Sequence, residues 1–308
     1  LVTSMPTGEK PADFAERSLS QQLANLGFFE IYNNSLTKLQ ENENDKAISI
    51  VNPLSQELSA MRTSLLGGLV EAIQYNLNRK NNNCQFFEIG NIYQKNGSDY
   101  IERKQLVIGL TGMQHPNHWR SNGQSNDFFY LKGIIEAICK RAGIVYSEST
   151  LENQKYFSEG MSLQSGQSVF GSIGKLDNTA FEGSGIENEI FVAEIDIEAY
   201  EALTSNTAKH IQEISKFPSV NRDLALLVNR DVSFESLQKA AQETEKKLLT
   251  SIQLFDVYEG KGIPEGKKSY GLSFTLNDHC KTLTDKQVDK VIKKIFERIQ
   301  NEFGAELR

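Results

Sequence analysis

Few residues of this chain are spaced for chemistry, and most of those argue against it. His115 and His118 could share a metal, but Pro116 discourages the helix that would align them, and no third ligand lies near in sequence, so a loop is expected. Glu187, Glu189, Glu194, Asp196 and Glu198 form an acidic run that suits alternate solvated positions on an edge strand better than a metal site. Residues 166–175 (GQSVFGSIGK) lack the G-x-x-x-x-G-K-[ST] spacing that lets backbone N–H groups cradle phosphates, so these glycines are expected to serve turns. His279 and Cys280 have no acid arranged beside them for nucleophilic catalysis. Cys84, Cys139 and Cys280 are isolated and contain no C-x-x-C pair, which opposes a disulfide framework or a zinc site and favours buried thiols. No catalytic and no metal-ligating residue is assigned.

At 308 residues the chain exceeds one ordinary core, and a domain size of about 100–200 residues gives two units. With 39% hydrophobic and 24% charged residues and six prolines, its composition is that of a soluble globular protein. Apolar runs such as residues 134–139 fall far short of the roughly 20 residues a membrane span needs, and residues 1–10 lack a signal-peptide pattern. A cytoplasmic protein without a membrane partner is expected. The net charge of −7 opposes a nucleic-acid partner, whose phosphates must be neutralised by lysine and arginine. That charge is unevenly spread: residues 209–308 carry 17 basic and 15 acidic side chains, whereas residues 1–208 carry 16 and 25. The two parts are opposite in sign.

Apolar spacing gives the elements that must position any site. Phe14, Leu19, Leu23 and Leu26 recur at near-helical intervals over residues 11–27, Gly27 supplies a stop, and a strand is expected over 28–36. Residues 40–46 read as a loop, 47–51 as a strand ending at Asn52 and Pro53, and 64–78 as a helix. Leu65, Leu66, Leu69, Val70, Ile73 and Leu77 form a stripe on that helix, expected to be core. Residues 84–94 and 105–112 form a hairpin about Asn96 and Gly97, and residues 130–141 form a helix. Strands 169–175 and 190–197 complete a mostly antiparallel sheet flanked by helices, an α+β arrangement. The weakly periodic segment 205–213 separates this unit from the next. There the order is strand 223–228, helix 233–247, strand 251–258, strand 269–276, helix 285–303 and a short strand 305–308. Ser233 suits an N-cap, and Thr284 with Gln287 has capping-box spacing. The order β-α-β-β-α-β is that of a ferredoxin-like fold.

The stretches FPSVNRDLALLV (217–228), LFDVYEGKGIPEGKKSYGLSFTL (254–276) and TLTDKQV (282–288) closely resemble the ferredoxin-fold anticodon-binding domain that ends the beta chain of bacterial phenylalanyl-tRNA synthetase. Upstream, NPLSQELSAMRTSLLGGLVEAIQYNLNR (52–79), FFEIGNIY (86–93) and DFFYLKGIIEAI (127–138) are similar to the same beta chain's synthetase-like core, in the expected order. Essentially the whole chain is covered. The resemblance implies a class II synthetase-like core without catalytic activity over residues 1–208 and an anticodon-binding domain over 209–308. It implies a catalytic alpha chain as partner in an (αβ)2 heterotetramer that attaches phenylalanine to its tRNA. The complete enzyme uses ATP and Mg, and no cofactor is expected in this part. Leu1 stands in place of an initiator methionine, so a fragment lacking the beta chain's editing and other N-terminal modules is expected.

An adenylating site of this class needs arginines that hold ATP phosphates bidentately. Where the class places an arginine and an acid on its second motif strand, this sequence has Phe87 before Glu88, and residues 189–200 contain no glycine-rich stretch ending in arginine. Adenylation is therefore not expected here. The positive case lies in the second unit, because unpaired bases stack on exposed rings while basic groups follow the backbone. Alternation along strand 251–258 puts Leu254, Asp256 and Tyr258 on one side and Phe255 and Val257 on the other, so Tyr258 faces away from the helices if Phe255 packs under them. The same alternation groups Ala225 with Asp223 and Leu227, leaving room for a base near Tyr258. A half-buried strand tyrosine is the plain alternative. By resemblance, Tyr258, Ser269 and Ala225 match positions that contact the anticodon, Ser269 through its hydroxyl, and Arg222 joins the tRNA-binding set. Lys261, Lys267 and Lys268, in the loop between the second and third strands, could touch phosphates, although a solvated loop would also carry lysines. The competing reading is a stand-alone RNA-binding or regulatory protein built on a retired synthetase core.

Overall fold

The computed structural model describes residues 11–39, 46–115, 117–120, 122–151, 156–181, 185–205 and 215–308. The chain divides into two compact units, Leu1–Lys209 and His210–Arg308. The expected loop 40–46 and most of the linker 205–213 lie outside the described residues.

In the first unit the elements run α1 (Pro11–Asn25), β1 (Phe29–Glu30), β2 (Leu36–Thr37), β3 (Ala60–Met61), α2 (Leu66–Leu77), β4 (Cys84–Asn96), β5 (Asp99–Thr111), β6 (Met113–His115), β7 (Gln124–Ser125), α3 (Phe128–Ala142), β8 (Ser147–Thr150), β9 (Phe157–Ser165), β10 (Ser168–Leu176), β11 (Ile190–Asp196) and α4 (Ile197–Ser205). Seven of these strands make one sheet in the order β1-β4-β5-β11-β10-β9-β8. Only the β1–β4 pair is parallel. The β4–β5 hairpin is in register from Cys84↔Thr111 to Asn96↔Asp99, and Gly97 turns it at φ 62°, a conformation in which a side chain would be strained.

Strand alternation divides the apolar residues between two cores. Phe87, Leu106, Ile108, Leu110, Ala193 and Ile195 pack with residues of α1, α3 and α4, including Leu19, Leu23, Ile135 and Tyr200. On the other face Phe86, Val107, Ile190 and Val192 pack with Leu65, Leu66, Leu69, Val70 and Ile73, so the stripe on α2 is core. Each fully buried Leu, Ile, Val or Phe among them contributes about 1.5–3 kcal/mol relative to exposure.

Local polar chemistry explains the departures from expectation. The expected strand 28–36 shrinks to β1 and β2 because Asn33 bonds Glu88 through both its backbone and its amide, and Asn34 Oδ1 accepts the Leu36 N–H at 3.0 Å. Residues 47–51 give a single bridge, Ser49↔Ala60, rather than a strand. β8 and β9 have no counterpart among the expected strands: β9 reads FSEGMSLQS, whose serines and glycine mask its alternation. Of the glycines in 166–175, only Gly166 serves a turn, at φ 62°. Gly171 and Gly174 lie inside β10, where a Cβ would run into the carbonyls of Glu194 and Glu159 on the neighbouring strands.

The second unit runs β12 (Val220–Asn229), α5 (Phe234–Thr244), β13 (Leu249–Tyr258), β14 (Lys267–Leu276), α6 (Asp285–Phe303) and β15 (Glu306–Leu307). Its sheet has the order β13-β14-β12-β15, all neighbours antiparallel. Both helices cover one face, where Leu226, Val228, Ile252, Leu272 and Phe274 meet Leu237, Ala241, Ile295 and Ile299. Ser233 caps α5 by accepting the Ser236 N–H at 3.2 Å, and the Thr284 N–H donates to Gln287 Oε1 at 3.2 Å at the start of α6. The fold class is α+β, and the second unit has the ferredoxin-like element order.

Candidate nucleic-acid interface

The helix-free face of the second sheet is built from the alternate residues. β12 contributes Asp223, Ala225 and Leu227, and β14 contributes Ser269, Gly271 and Ser273, since their neighbours Leu224, Leu226, Leu272 and Phe274 belong to the helix-side core. Simple alternation fails on β13. A bulge sits between Leu254 and Asp256: Leu254 pairs with Leu272 on the helix side, and Asp256 then pairs with Gly271 and Tyr258 with Ser269. Asp256 and Tyr258 thus reach the open face while Leu254 does not. Phe255 does not pack under the helices; its ring lies against Gly271, where a Cβ would meet Phe255 Cε2 at 2.7 Å, and it is 60% exposed. The expected outward Tyr258 is therefore found, but the extra residue of the bulge produces it.

Tyr258 is 36% exposed, with its hydroxyl donating to the Lys261 carbonyl at 3.2 Å and the Arg308 guanidinium 5.1 Å from the ring centroid. Ser269 stands between its register partners Tyr258 and Leu227 and is only 2% exposed. Ala225 and Gly271 are opposite each other and form a floor of small residues. Lys267 and Lys268 are not in the loop; they begin β14, and alternation separates them. Lys267 shares the open face and pairs with Glu306 at 2.7 Å, while Lys268 lies on the helix side, 4.7 Å from the Tyr270 ring centroid. Arg222 also lies on the helix side, opposite Phe274, and pairs with Asp285 of α6 at 2.7 Å. The structure thus gathers Tyr258, Ser269, Ala225 and Lys267 on one face, with Lys261 in the adjoining loop, and leaves Arg222 and Lys268 behind the sheet. Arg230, which pairs with Glu259 at 2.8 Å, and Arg308 add cations at the Tyr258 end that alternation alone did not single out.

In the first unit the acidic run is not on an edge, because β11 lies between β5 and β10. Glu194 Oε1 accepts from Ser64 Oγ at 3.0 Å and Gln105 Nε2 at 3.2 Å, and burial raises its carboxyl above the usual glutamate value against the opposing effect of those bonds. Glu189, by contrast, is exposed and pairs with Lys175 at 2.5 Å. Among the described residues no group of three or more His, Cys, Asp or Glu could hold a metal ion. Cys84 and Cys139 are buried and their thiols are pushed up to about 11 and about 12, whereas Cys280 is exposed, against expectation.

Glu88 and the nearest arginine are committed to each other. Arg62 Nη1 donates to Glu88 Oε1 at 2.6 Å, its Nε donates to the Asn91 carbonyl at 2.9 Å, and Asn33 Nδ2 donates to Glu88 Oε2 at 2.6 Å. The sheet face that carries this pair is filled by α2. The Arg62 guanidinium is thus held by protein acceptors rather than left free to grip ATP phosphates bidentately.

The second unit is thus a ferredoxin-like domain whose helix-free sheet face carries a ring, a hydroxyl and marginal cations. A family profile described as "Phenylalanyl tRNA synthetase beta chain CLM domain" matches residues 2–197, and one described as "Ferredoxin-fold anticodon binding domain" matches residues 215–308. The phenylalanine–tRNA ligase beta subunit of Bacteroides thetaiotaomicron is 36% identical over 94% of this chain and 38% of its own length. That of Porphyromonas gingivalis is 36% identical with the same two coverages. The chain thus spans 38% of the length of these curated relatives. A solved pyrrolysyl-tRNA synthetase from Desulfitobacterium hafniense aligns at a TM-score of 0.49 with 16% identity, over 64% of this chain and 70% of that one. This chain belongs to the phenylalanyl-tRNA synthetase beta chain family.

Proposed function

We propose that this chain is the non-catalytic, tRNA-binding part of a phenylalanine–tRNA ligase beta subunit. Residues 1–208 form the inactive synthetase-like scaffold and residues 209–308 the anticodon-binding domain. The scaffold supports a catalytic alpha chain in an (αβ)2 heterotetramer in the cytoplasm, where ATP and Mg serve the alpha chain's aminoacylation. The observation that carries the reading is the open sheet face: Tyr258 beside Ser269, with Ala225 and Gly271 as a low floor. An unpaired base stacks on Tyr258, with Ser269 as its register partner on the neighbouring strand offering the hydroxyl. Lys261 and Lys267 meet phosphates at the margin. Arg222 and Lys268 lie behind this face and make no contact with a base bound there.

The test is binding of the purified chain to phenylalanine tRNA and to another tRNA at two salt concentrations, with Tyr258→Ala alongside. Preference for phenylalanine tRNA is expected, weakening with salt, and the variant loses roughly 1–3 kcal/mol, the typical worth of one base–ring stack. Equal binding of both tRNAs, or a Tyr258→Ala variant that binds like the parent, overturns the assignment.

A further inference from the structure

The β13 bulge puts two rings on the open face, and we propose that Phe255 is the stacking platform for a second unpaired nucleobase, beside the one on Tyr258. This rests on the anticodon reading above. In an uninterrupted strand, Phe255 and Tyr258, three residues apart, would face opposite sides of the sheet. With the bulge both face outward: the Phe255 ring lies against Gly271 and remains 60% exposed, and Tyr258 follows on the same face. An aromatic ring held open to water has lost the burial that usually justifies it. The lack of a side chain at Gly271 is what lets the ring lie against the strand.

The surroundings suit a base better than an apolar protein surface. Around Phe255 the face offers the carboxylates of Asp223 and Asp256 and the side chains of Gln253 and Ser273, which match the N–H groups on base edges. Those carboxylates repel phosphates from the middle of the face, while Arg230, Lys261, Lys267 and Arg308 stand at the Tyr258 end. A single strand therefore lays its backbone along the margin and points its bases inward. Phe255 and Tyr258 are three residues apart, on the order of 10 Å of strand, so the two rings take two different bases.

The probe is the anticodon stem-loop of a phenylalanine tRNA, compared with the same stem closed by an unrelated loop, titrated against the whole chain. Phe255→Ala and Phe255→Leu are expected to weaken binding of the anticodon loop about tenfold (about 1.4 kcal/mol). Phe255→Tyr keeps the flat ring and binds within about twofold of the parent. The chain's single tryptophan, Trp119, lies in the first unit, so Phe255→Trp in a Trp119→Phe background gives one reporter on the open face, and a stacked base quenches it. If Tyr258→Ala weakens binding while Phe255→Ala does not, this inference falls and the anticodon reading stands. If Phe255→Leu binds like the parent, the side chain acts as apolar bulk and the stacking role is overturned. Should the unmodified chain fail to prefer the anticodon loop, both fall together.

Discussion

Removing the Glu88 carboxylate tests whether the first unit's sheet is organised around a committed ion pair. Glu88 is 2% exposed and accepts from Arg62 Nη1 at 2.6 Å, from Asn33 Nδ2 at 2.6 Å and from the Asn33 backbone N–H at 3.3 Å. Glu88→Leu fills the volume with apolar atoms but strands three donors, one on a buried guanidinium. Breaking a buried pair by deleting one partner costs about 3–5 kcal/mol, because the remaining charge has left water without its counterion. Arg62→Met with Glu88→Leu removes both charges and is expected to recover most of that loss, since apolar replacement of a whole buried pair is often neutral or stabilising. The assay is a urea series followed by hydrogen exchange on peptides from β4 and β5, which reads the first unit without interference from the second. A Glu88→Leu cost below about 1 kcal/mol, or one that is unchanged when Arg62 is also replaced, refutes the reasoning.

Three further outcomes are expected. Burial raises the folded-state pKa of Glu194, so its contribution is fully present below the unfolded value of about 4.3 and is lost as pH rises through the folded value. Glu194→Gln keeps an acceptor for Ser64 and Gln105, and pH-dependent melting should show the variant more stable than the parent on the alkaline side. Of the three cysteines, a thiol reagent at neutral pH should label Cys280 alone in the native chain, because Cys84 and Cys139 are buried with thiols held at about 11 and about 12; peptide mass mapping identifies the site. Asp127 caps α3 by accepting the Tyr130 N–H at 2.7 Å, so Asp127→Ala should cost about 1 kcal/mol in the same exchange measurement.

Regular periodicity made most of the second unit legible, down to the caps at Ser233 and Thr284. What alternation misreads there is parity after an irregularity. Leu254, Asp256 and Tyr258 look like one face until the bulge separates the first from the others, and no side chain in LFDVY announces it. Lys267 and Lys268 look like loop residues until β14 extends to include them and sends them to opposite sides. In the first unit the hairpin about Gly97 and the stripe on α2 carry strong local signals. The placement of β11 carries none, because strand order depends on which distant strands close on it. That is why Glu194 reads as a solvated edge residue and is enclosed between Ser64 and Gln105 instead.

The strand order of the first unit also sets the sequence in which its pairings can form. β4 and β5 are joined by a tight turn, as are β9 and β10, so each pair zips from its own loop with little closure entropy. β11 is different: its partner β5 lies far back in the chain, and it must also line up with β10, so it joins two preformed hairpins across a long loop. Until β11 docks, β5 and β10 each expose a row of unpaired backbone groups beside apolar side chains, a template for pairing with other molecules. Docking of Ile190–Asp196 is thus the event that covers both of these inner edges during synthesis or refolding.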